Sequence, residues 1–536
     1  MVEGQRPSTG LRHFEHDRMT RSCSSNSLME SAIHAFRRSR LKRSRSSSVA
    51  DNRGLPRLTL TVFVLLTTAV RLAFGASLGL GVDESYMVAA GRTLSLGYYD
   101  HPPLAWWLSW GAAHLFGSEA AIVVRLPFIA SFALSTWLMY RLGVAIADPR
   151  AGLYAALLLN LSPVFGVTTG TWVLPDGPLD CALLGAVLCL IHALECGTLA
   201  WWLGAGVCAG AAMLSKYSAM LTIAGAVLYL LTSRRHRQLL VTVKPWLAAL
   251  LAALLFTPVL AWNAVHHWES FVFQAGRAEG WQLHPLAPLK TLGGEALFVL
   301  PWIWLPLMIV FFAALRRGPG AWRPWLLSCL ALPPIVVFAA VSAWASQRVL
   351  FHWAAPGYLM LFPLLGDAVA RRLHQRAVRW AIAGTAGFVI LGMGLVASQV
   401  RWGWLNPVIA PVAPNDPTLE AIDWTSLGDA LPPHVLIGVP DWRDAGKIAY
   451  ALGRSVTTVC LNRDCRQFAL TLPANRFIGS DFLILAPEHG QRAAQALAGA
   501  FEQIVRLRDR SIDQDGRTLR NVAVFRGDRL LVWPPP

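Results

Sequence analysis

Apolar runs of close to 20 residues recur along this chain from position 57 to position 400, and no other feature restricts its fold as strongly. A helix of that length, rising 1.5 Å per residue, matches a hydrocarbon core of ~30 Å. The runs fall at 57–80, 119–142, 151–169, 177–195, 199–214, 217–232, 245–263, 292–314, 323–343, 349–368 and 380–400, about eleven spans. Of the 536 residues, 54% are hydrophobic and only 15% charged, far less charge than a soluble domain carries. The chain therefore reads as an α-helical polytopic membrane protein. Its many Pro and Gly residues are tolerated where neighbouring helices satisfy the freed backbone.

The net charge is +16. In a membrane protein an excess of Lys and Arg first sets orientation, because basic loops stay in the cytoplasm. The basic residues are dispersed between spans without an aromatic-interleaved patch, so a nucleic-acid partner is not expected. "SRRHRQ" at 233–238, "RRGPGAWR" at 316–323 and "RRLHQRAVR" at 371–379 are the most basic loops. Eleven spans with the N-terminus inside put all three on the cytoplasmic face. The other face then receives 81–118, about 168–177, 215–217, 264–290, 344–348 and everything after 400.

Three regions follow. Residues 1–54 are Ser-rich and basic, with nothing to bury, and are expected to form a disordered cytoplasmic tail. Residues 55–400 form the transmembrane domain, with an outer juxtamembrane loop at 81–118. Residues 401–536 are less apolar. Short β-like runs ("HVLIGV", "SVTTVC", "DFLILA", "NVAVFR") alternate with helical stretches ("WRDAGKIAYALG", "EHGQRAAQALAGAFEQIVRL"), which predicts a small soluble α/β domain on the periplasmic side. Cys460 and Cys465 lie in this polar region. Their C-x4-C spacing suits a small disulfide in an oxidising compartment, and a zinc reading lacks a second ligand pair nearby.

Chemistry concentrates on the outer face. Asp83 and Glu84 follow the first span directly, where they escape the cost of a carboxylate at mid-bilayer, ~3 kcal/mol on insertion scales. "DESYMVAAGRTL" predicts a short helix with acids in its first turn, where the dipole favours them. "HPPLAWWLSWGAAHLFG" predicts a second helix with Pro at its start, lying on the membrane with Trp106, Trp107 and Trp110 in the headgroup layer. The same face carries Asp100, His101, Arg125, Asp176, Lys216, His266, His267, Glu269, Gln274, Arg277, Arg348 and His352. Taken singly, each is an ordinary capping or snorkelling residue. Together they supply what transfer from an anionic leaving group requires: a base for the acceptor and cations for the departing phosphate.

"DESYMVAAGRTLSLGYYDHPPLAWWL", "VVRLP", "LPDGPL", "GAAMLSKYSAML" and "HWAAPGYLML", in this order, resemble bacterial members of glycosyltransferase family 39. That family includes the protein O-mannosyltransferases and the lipid A aminoarabinose and galacturonic acid transferases. The resemblance covers roughly 57–400 and implies a C-type glycosyltransferase fold in the bacterial inner membrane. It also implies a polyprenyl-phosphate-linked sugar donor and an inverting reaction on the periplasmic face, onto a lipid, glycan or protein acceptor. Carried over by motif, Asp83 is the expected base or acceptor-orienting group, with Glu84 beside it as the second catalytic acid. Arg125, Lys216 and Arg348 fall at positions suited to the donor phosphate. Asp100, His101, Asp176, His266, His267 and His352 are expected near substrate or metal. Where some relatives carry Lys, this chain has His101. The resemblance fixes no cofactor and leaves room for a divalent cation. No P-loop or dinucleotide-binding fingerprint is present, as suits a lipid-linked donor. Two other readings stand beside the enzyme: a secondary transporter and a non-catalytic subunit of envelope-polymer assembly.

Overall fold

The computed structural model describes residues 54–280, 282–405 and 420–533, apart from 429–430, 432–434, 488–491, 493–495, 498 and 515–516. The tail expected over 1–54 lies outside the described residues except for Gly54, which opens the first helix.

Among the described residues, seven helices are long and apolar enough to cross a membrane: Leu58–Ser77, Ala121–Ile146, Asp176–Cys196, Val243–Val265, Pro301–Gly320, Trp322–Val341 and Arg376–Trp402. Leu199–Ser215 and Ala219–Thr232 are shorter apolar helices. Three of the expected spans, one of them containing Pro301–Gly320, are helical but interrupted. In 151–169, the helix Pro149–Leu161 stops at Ser162–Pro163 and resumes as a π-helical turn, Val164–Thr169. In 292–314, Leu300 at φ 81° separates Ala287–Val299 from Pro301–Arg317. In 349–368, two short helices, Ala355–Leu359 and Phe362–Arg372, stand in for one. Hydropathy thus located the apolar helices, but not their breaks: Pro127, Pro258 and the pair Pro333–Pro334 lie inside helices that run on.

The helix ends show why the chain folds back where it does. Asp148 caps the helix that begins at Pro149, its carboxylate accepting from Arg150 N and Ala151 N at 2.8 and 2.9 Å. The basic loops gather at one end of the bundle. Arg323 pairs with Glu195 at 2.6 Å, and the rings of His236 and Trp322 meet at 5.3 Å.

Deep in the bundle Arg71 is buried without a carboxylate partner among the described residues. Its guanidinium donates to Thr67 O, Asn160 Oδ1 and Gly166 O at 2.8–2.9 Å and lies over the Phe132 ring. One carbonyl of the π-helical turn, one of Arg71's own helix and a side-chain amide oxygen together carry this charge inside the membrane.

At the other end stands the small α/β domain. Its strands are β1 (Ile437–Val439), β2 (Thr458–Cys460), β3 (Phe482–Ala486), β4 (Phe501–Arg506), β5 (Arg510–Gln514) and β6 (Arg517–Leu530). They are ordered β2-β1-β3-β6-β4, with β5 paired to β6. The first three are parallel, β1 and β2 connected through the helix Trp442–Leu452 and β2 and β3 through the short helices Gln467–Thr471 and Ala474–Phe477, and β6 runs antiparallel to β3, β4 and β5. One expectation fails here. The second half of "EHGQRAAQALAGAFEQIVRL" is strand β4, not helix, because Phe501, Ile504 and Val505 find their partners across β6.

This domain is not an appendage. One hydrophobic cluster runs from Tyr86, Met87 and Trp106 of the outer loop into Trp442, Ala445, Ile448 and Phe468 of the α/β domain. The helices Val82–Ala90 and Trp442–Leu452 approach so closely at Gly446 that a Cβ there would stand 2.8 Å from Tyr86 Cα. Lys447 is buried beside this contact and donates to Leu80 O, Glu420 O and Ile422 O at 2.6–2.9 Å.

Candidate active site

Between the membrane domain and the α/β domain lies a cavity of about 390 Å³. Every outer segment reaches it: Asp83, Tyr86, Asp100 and His101 from 81–118; Thr168, Thr169 and Asp176; Lys216; Phe273 and Arg277; Arg348, His352 and Trp353; and Trp442, Arg443 and Arg466.

Asp83 and Glu84 share the first turn of Val82–Ala90, and their side chains part completely. Asp83 opens onto the cavity and is wetted by it, though protein surrounds that space. This enclosure raises its carboxyl pKa, against the pull of Arg466, Arg443 and Arg277. Glu84 points the other way and is almost fully buried. It accepts from Arg125 Nε at 2.8 Å and Nη2 at 2.5 Å, and from the backbone N–H groups of Gly81 and Val173 at 2.9 Å. Burial pushes the Glu84 carboxyl up, but Arg125 and these donors hold it below the ordinary range. Arg125 itself also donates to the carbonyls of Gly75, Leu78 and Gly79. Glu84, expected to be catalytic, and Arg125, expected at the donor phosphate, therefore do not line the cavity. The two saturate each other outside the cavity and lock the end of the first span to the loop.

Two further expectations change. His266 stacks on Trp262 with ring centroids 4.1 Å apart, and His267 is exposed; neither lines the cavity. Trp106 is not a headgroup anchor. It is fully buried, stacked on Tyr98 at 4.2 Å and edge-on to Tyr86.

Lys216, Asp176, Arg348, His352, Asp100 and His101 do line the cavity. Lys216 Nζ contacts both Asp176 oxygens at 2.8 and 3.0 Å. Asp100 Oδ2 meets Arg466 Nη1 at 3.4 Å, and the Asp100 carbonyl accepts from Gln274 Nε2. Burial raises the Asp100 carboxyl to about 6, with Arg466 opposing. Burial, with Lys216 and Arg277 nearby, lowers the His101 imidazole pKa and keeps the ring neutral; its Nδ1 is buried without a partner. Sequence reasoning missed Trp442, Arg443 and Arg466, and placed no site residue in the α/β domain. Arg466 follows Cys465 directly, and that pairing was the available signal. In all, three carboxylates (Asp83, Asp100, Asp176) face five cations (Lys216, Arg277, Arg348, Arg443, Arg466).

A second cavity, of about 300 Å³, abuts the first and shares His101, Lys216, Arg277 and Trp353 with it. Its other walls include Met220, Leu221, Val337, Phe338 and Val341, so it is an apolar slot between helices. Among the described residues no group of three His, Cys, Asp or Glu side chains is arranged to hold a metal ion. Cys460 and Cys465 form a disulfide.

Residues 100–262 match the family model described as dolichyl-phosphate-mannose-protein mannosyltransferase. A curated relative is the undecaprenyl phosphate-alpha-4-amino-4-deoxy-L-arabinose arabinosyl transferase of Yersinia enterocolitica serotype O:8 / biotype 1B, 24% identical over 341 residues. The chain is similar to members of glycosyltransferase family 39. The match covers 58% of this chain and spans 58% of that relative's length. Among solved structures, ArnT from Cupriavidus metallidurans bound to undecaprenyl phosphate aligns with a TM-score of 0.60 at 16% identity, covering 87% of this chain and 97% of that one. The apo state of the same protein aligns at 0.58, also at 16% identity, covering 87% and 98%. At this identity the likeness shows a shared fold, the C-type glycosyltransferase fold.

Proposed function

We propose that this protein is an inverting membrane glycosyltransferase that moves a sugar from a polyprenyl phosphate to a hydroxyl of a lipid, glycan or protein acceptor. The observation that carries the reading is the pair of joined cavities: an apolar slot, with room for the first isoprene units of a lipid tail, ends at a polar chamber holding Lys216, Arg277, Arg348 and Asp83. The names of the relatives, one an undecaprenyl-phosphate-linked arabinose transferase and one solved with undecaprenyl phosphate, support the same donor class.

The step is a direct displacement. The acceptor oxygen attacks the anomeric carbon, the bond from that carbon to the phosphate oxygen breaks, and the configuration inverts. The acceptor proton passes to Asp83, whose raised pKa suits a general base, a role worth ~10²–10⁴-fold in rate. The polyprenyl phosphate leaves with its charge met by Lys216, Arg277 and Arg348.

The cavity end is assigned to the periplasm and the basic loops to the cytoplasm of a bacterial inner membrane. The positive-inside rule and the Cys460–Cys465 disulfide on the cavity side both support this. A transporter or a non-catalytic assembly subunit gives no reason for an apolar slot that ends among five cations.

The test is reconstitution of the full chain in proteoliposomes. Undecaprenyl-phosphate-linked mannose, 4-amino-4-deoxy-L-arabinose and galacturonic acid are supplied in turn with an envelope lipid and glycan extract. Release of undecaprenyl phosphate with a matching mass gain in the extract is expected for one of them. Failure with all three, alongside solute uptake into the same vesicles, would reverse the reading.

A further inference from the structure

We infer that the loop closed by Cys460–Cys465 is the α/β domain's contribution to the reaction, holding Arg466 in the cavity as a substrate-contacting cation, so that sugar transfer depends on this disulfide. The inference rests on the proposed glycosyltransferase function.

Arg466 is placed by restraints on both sides. Before it, strand β2 ends at Cys460, and the disulfide returns the chain to Cys465 after four residues. Inside that loop Asn462 Nδ2 donates to Pro440 O at 2.6 Å and Asn462 Oδ1 accepts from Asp464 N at 3.1 Å. After it, Gln467 N donates to Tyr86 Oη at 3.0 Å, and Gln467 Oε1 accepts from Tyr99 N at 2.9 Å. Between these anchors Arg466 sits at φ 48° and ψ −130°, a region that residues other than glycine seldom occupy. Such a conformation persists only where the surroundings over-determine it, and it is enriched at functional sites.

The guanidinium then faces the cavity. It lies 3.5 Å from the Trp442 ring centroid and 5.4 Å from that of Phe273, so α/β-domain and membrane-domain aromatics hold it from two sides. Nη1 reaches Asp100 Oδ2 at 3.4 Å, while Nε is buried with no hydrogen-bond partner. The side chain is 20% exposed where it lines the chamber, so with Nη1 only loosely held its outer guanidinium N–H groups are a place for a ligand oxygen, on the phosphate or the sugar of the bound donor. Reduction of the disulfide to two thiols reopens the loop, and the backbone at Arg466 gains the freedom to relax out of its positive φ.

The test uses the full chain in proteoliposomes, with whichever undecaprenyl-phosphate sugar the wild type accepts. C460S/C465S and R466A are each expected to lower kcat/KM about tenfold, the scale of one charge-assisted contact. If the disulfide acts through Arg466, the triple variant is no worse than R466A alone, and R466K recovers part of the loss. Treating folded, inserted wild-type protein with a phosphine reductant reproduces the C460S/C465S rate and leaves that variant unaffected, which covers the case in which the serine variant does not fold. Wild-type activity in C460S/C465S, or losses that multiply in the triple variant, overturns the inference while leaving the glycosyltransferase reading intact. A wild type that moves no sugar overturns the functional reading and this inference together.

Discussion

The two adjacent acids make the sharpest prediction, because one turn of helix gives them opposite duties. Glu84→Gln removes the charge from a pair in which both side chains are 1% exposed. Breaking a buried pair by neutralising one partner costs ~3–5 kcal/mol, since the other charge stays buried. Arg125 keeps three carbonyl partners at Gly75, Leu78 and Gly79, which places the loss at the lower end, about 3 kcal/mol. Replacing both members, as in E84Q/R125M, should therefore be milder than E84Q alone. Asp83→Asn behaves in the reverse way. Its carboxyl is raised by enclosure, so the neutral amide leaves the unfolding midpoint unchanged or slightly higher, while transfer falls by ~10²–10⁴-fold. The assay is thermal unfolding in detergent beside sugar release in proteoliposomes, on protein from the same preparation. An E84Q protein that unfolds at the wild-type temperature yet transfers nothing would show that Glu84 takes part in the chemistry and that the clamp is misread. A D83N protein with normal turnover would remove the base.

Three other outcomes follow from the packing and the charges. Gly446→Val places methyl groups against Tyr86, an overpacking worth ~1–3 kcal/mol; limited proteolysis should then release the α/β domain faster, and unchanged cleavage would mean the helices tolerate separation. Asp100→Asn should stabilise the protein at pH 8 and not at pH 4: a folded-state pKa of about 6 against an ordinary 3.8 means the fold loses stability as pH rises between those values, by ~3 kcal/mol, and the amide escapes that loss. Equal unfolding midpoints of D100N and wild type at pH 8 would refute this. His266→Ala and His267→Ala should each leave transfer at the wild-type rate, because neither lines the cavity; a loss of activity in either would bring that loop into the site.

The bundle was legible because hydropathy is a one-dimensional property: each apolar run became a helix, and the segments assigned to one face do meet around one cavity. What escaped depends on rotation and on distance along the chain. Successive helical residues lie about 100° apart, so Asp83 and Glu84 must diverge, and only the packed orientation of Val82–Ala90 decides which enters the cavity. The same rotation buries Trp106 while Trp107 stays half-exposed and donates to Ser95 O. Arg466 lies 366 positions from Asp100, in a loop whose sequence reads as turn and disulfide only. Its place in the cavity follows from the docking of Trp442–Leu452 on Tyr86, a tertiary event with no periodic signature.

The cation surplus explains why a chamber built this way would accelerate the proposed reaction rather than merely bind its donor. A polyprenyl phosphate bearing a sugar is a diester with one negative charge, and the departing monoester carries up to about two. Lys216 is already paired with Asp176, and Arg466 with Asp100, so their attraction for the donor is partly offset before it arrives. Arg277 and Arg348 instead rest over aromatic rings, at 4.4 Å from Trp353 and 4.5 Å from Phe351. A ring face holds a guanidinium in place without neutralising it. These two are therefore free to respond as the second charge develops on the leaving oxygen, an interaction stronger in the transition state than in the ground state, which is the only kind that raises kcat. On this account Arg277→Ala and Arg348→Ala should lower kcat more than they raise KM for the donor. Loss confined to KM would mean that the two arginines bind the donor and its transition state equally, leaving the developing charge to Lys216.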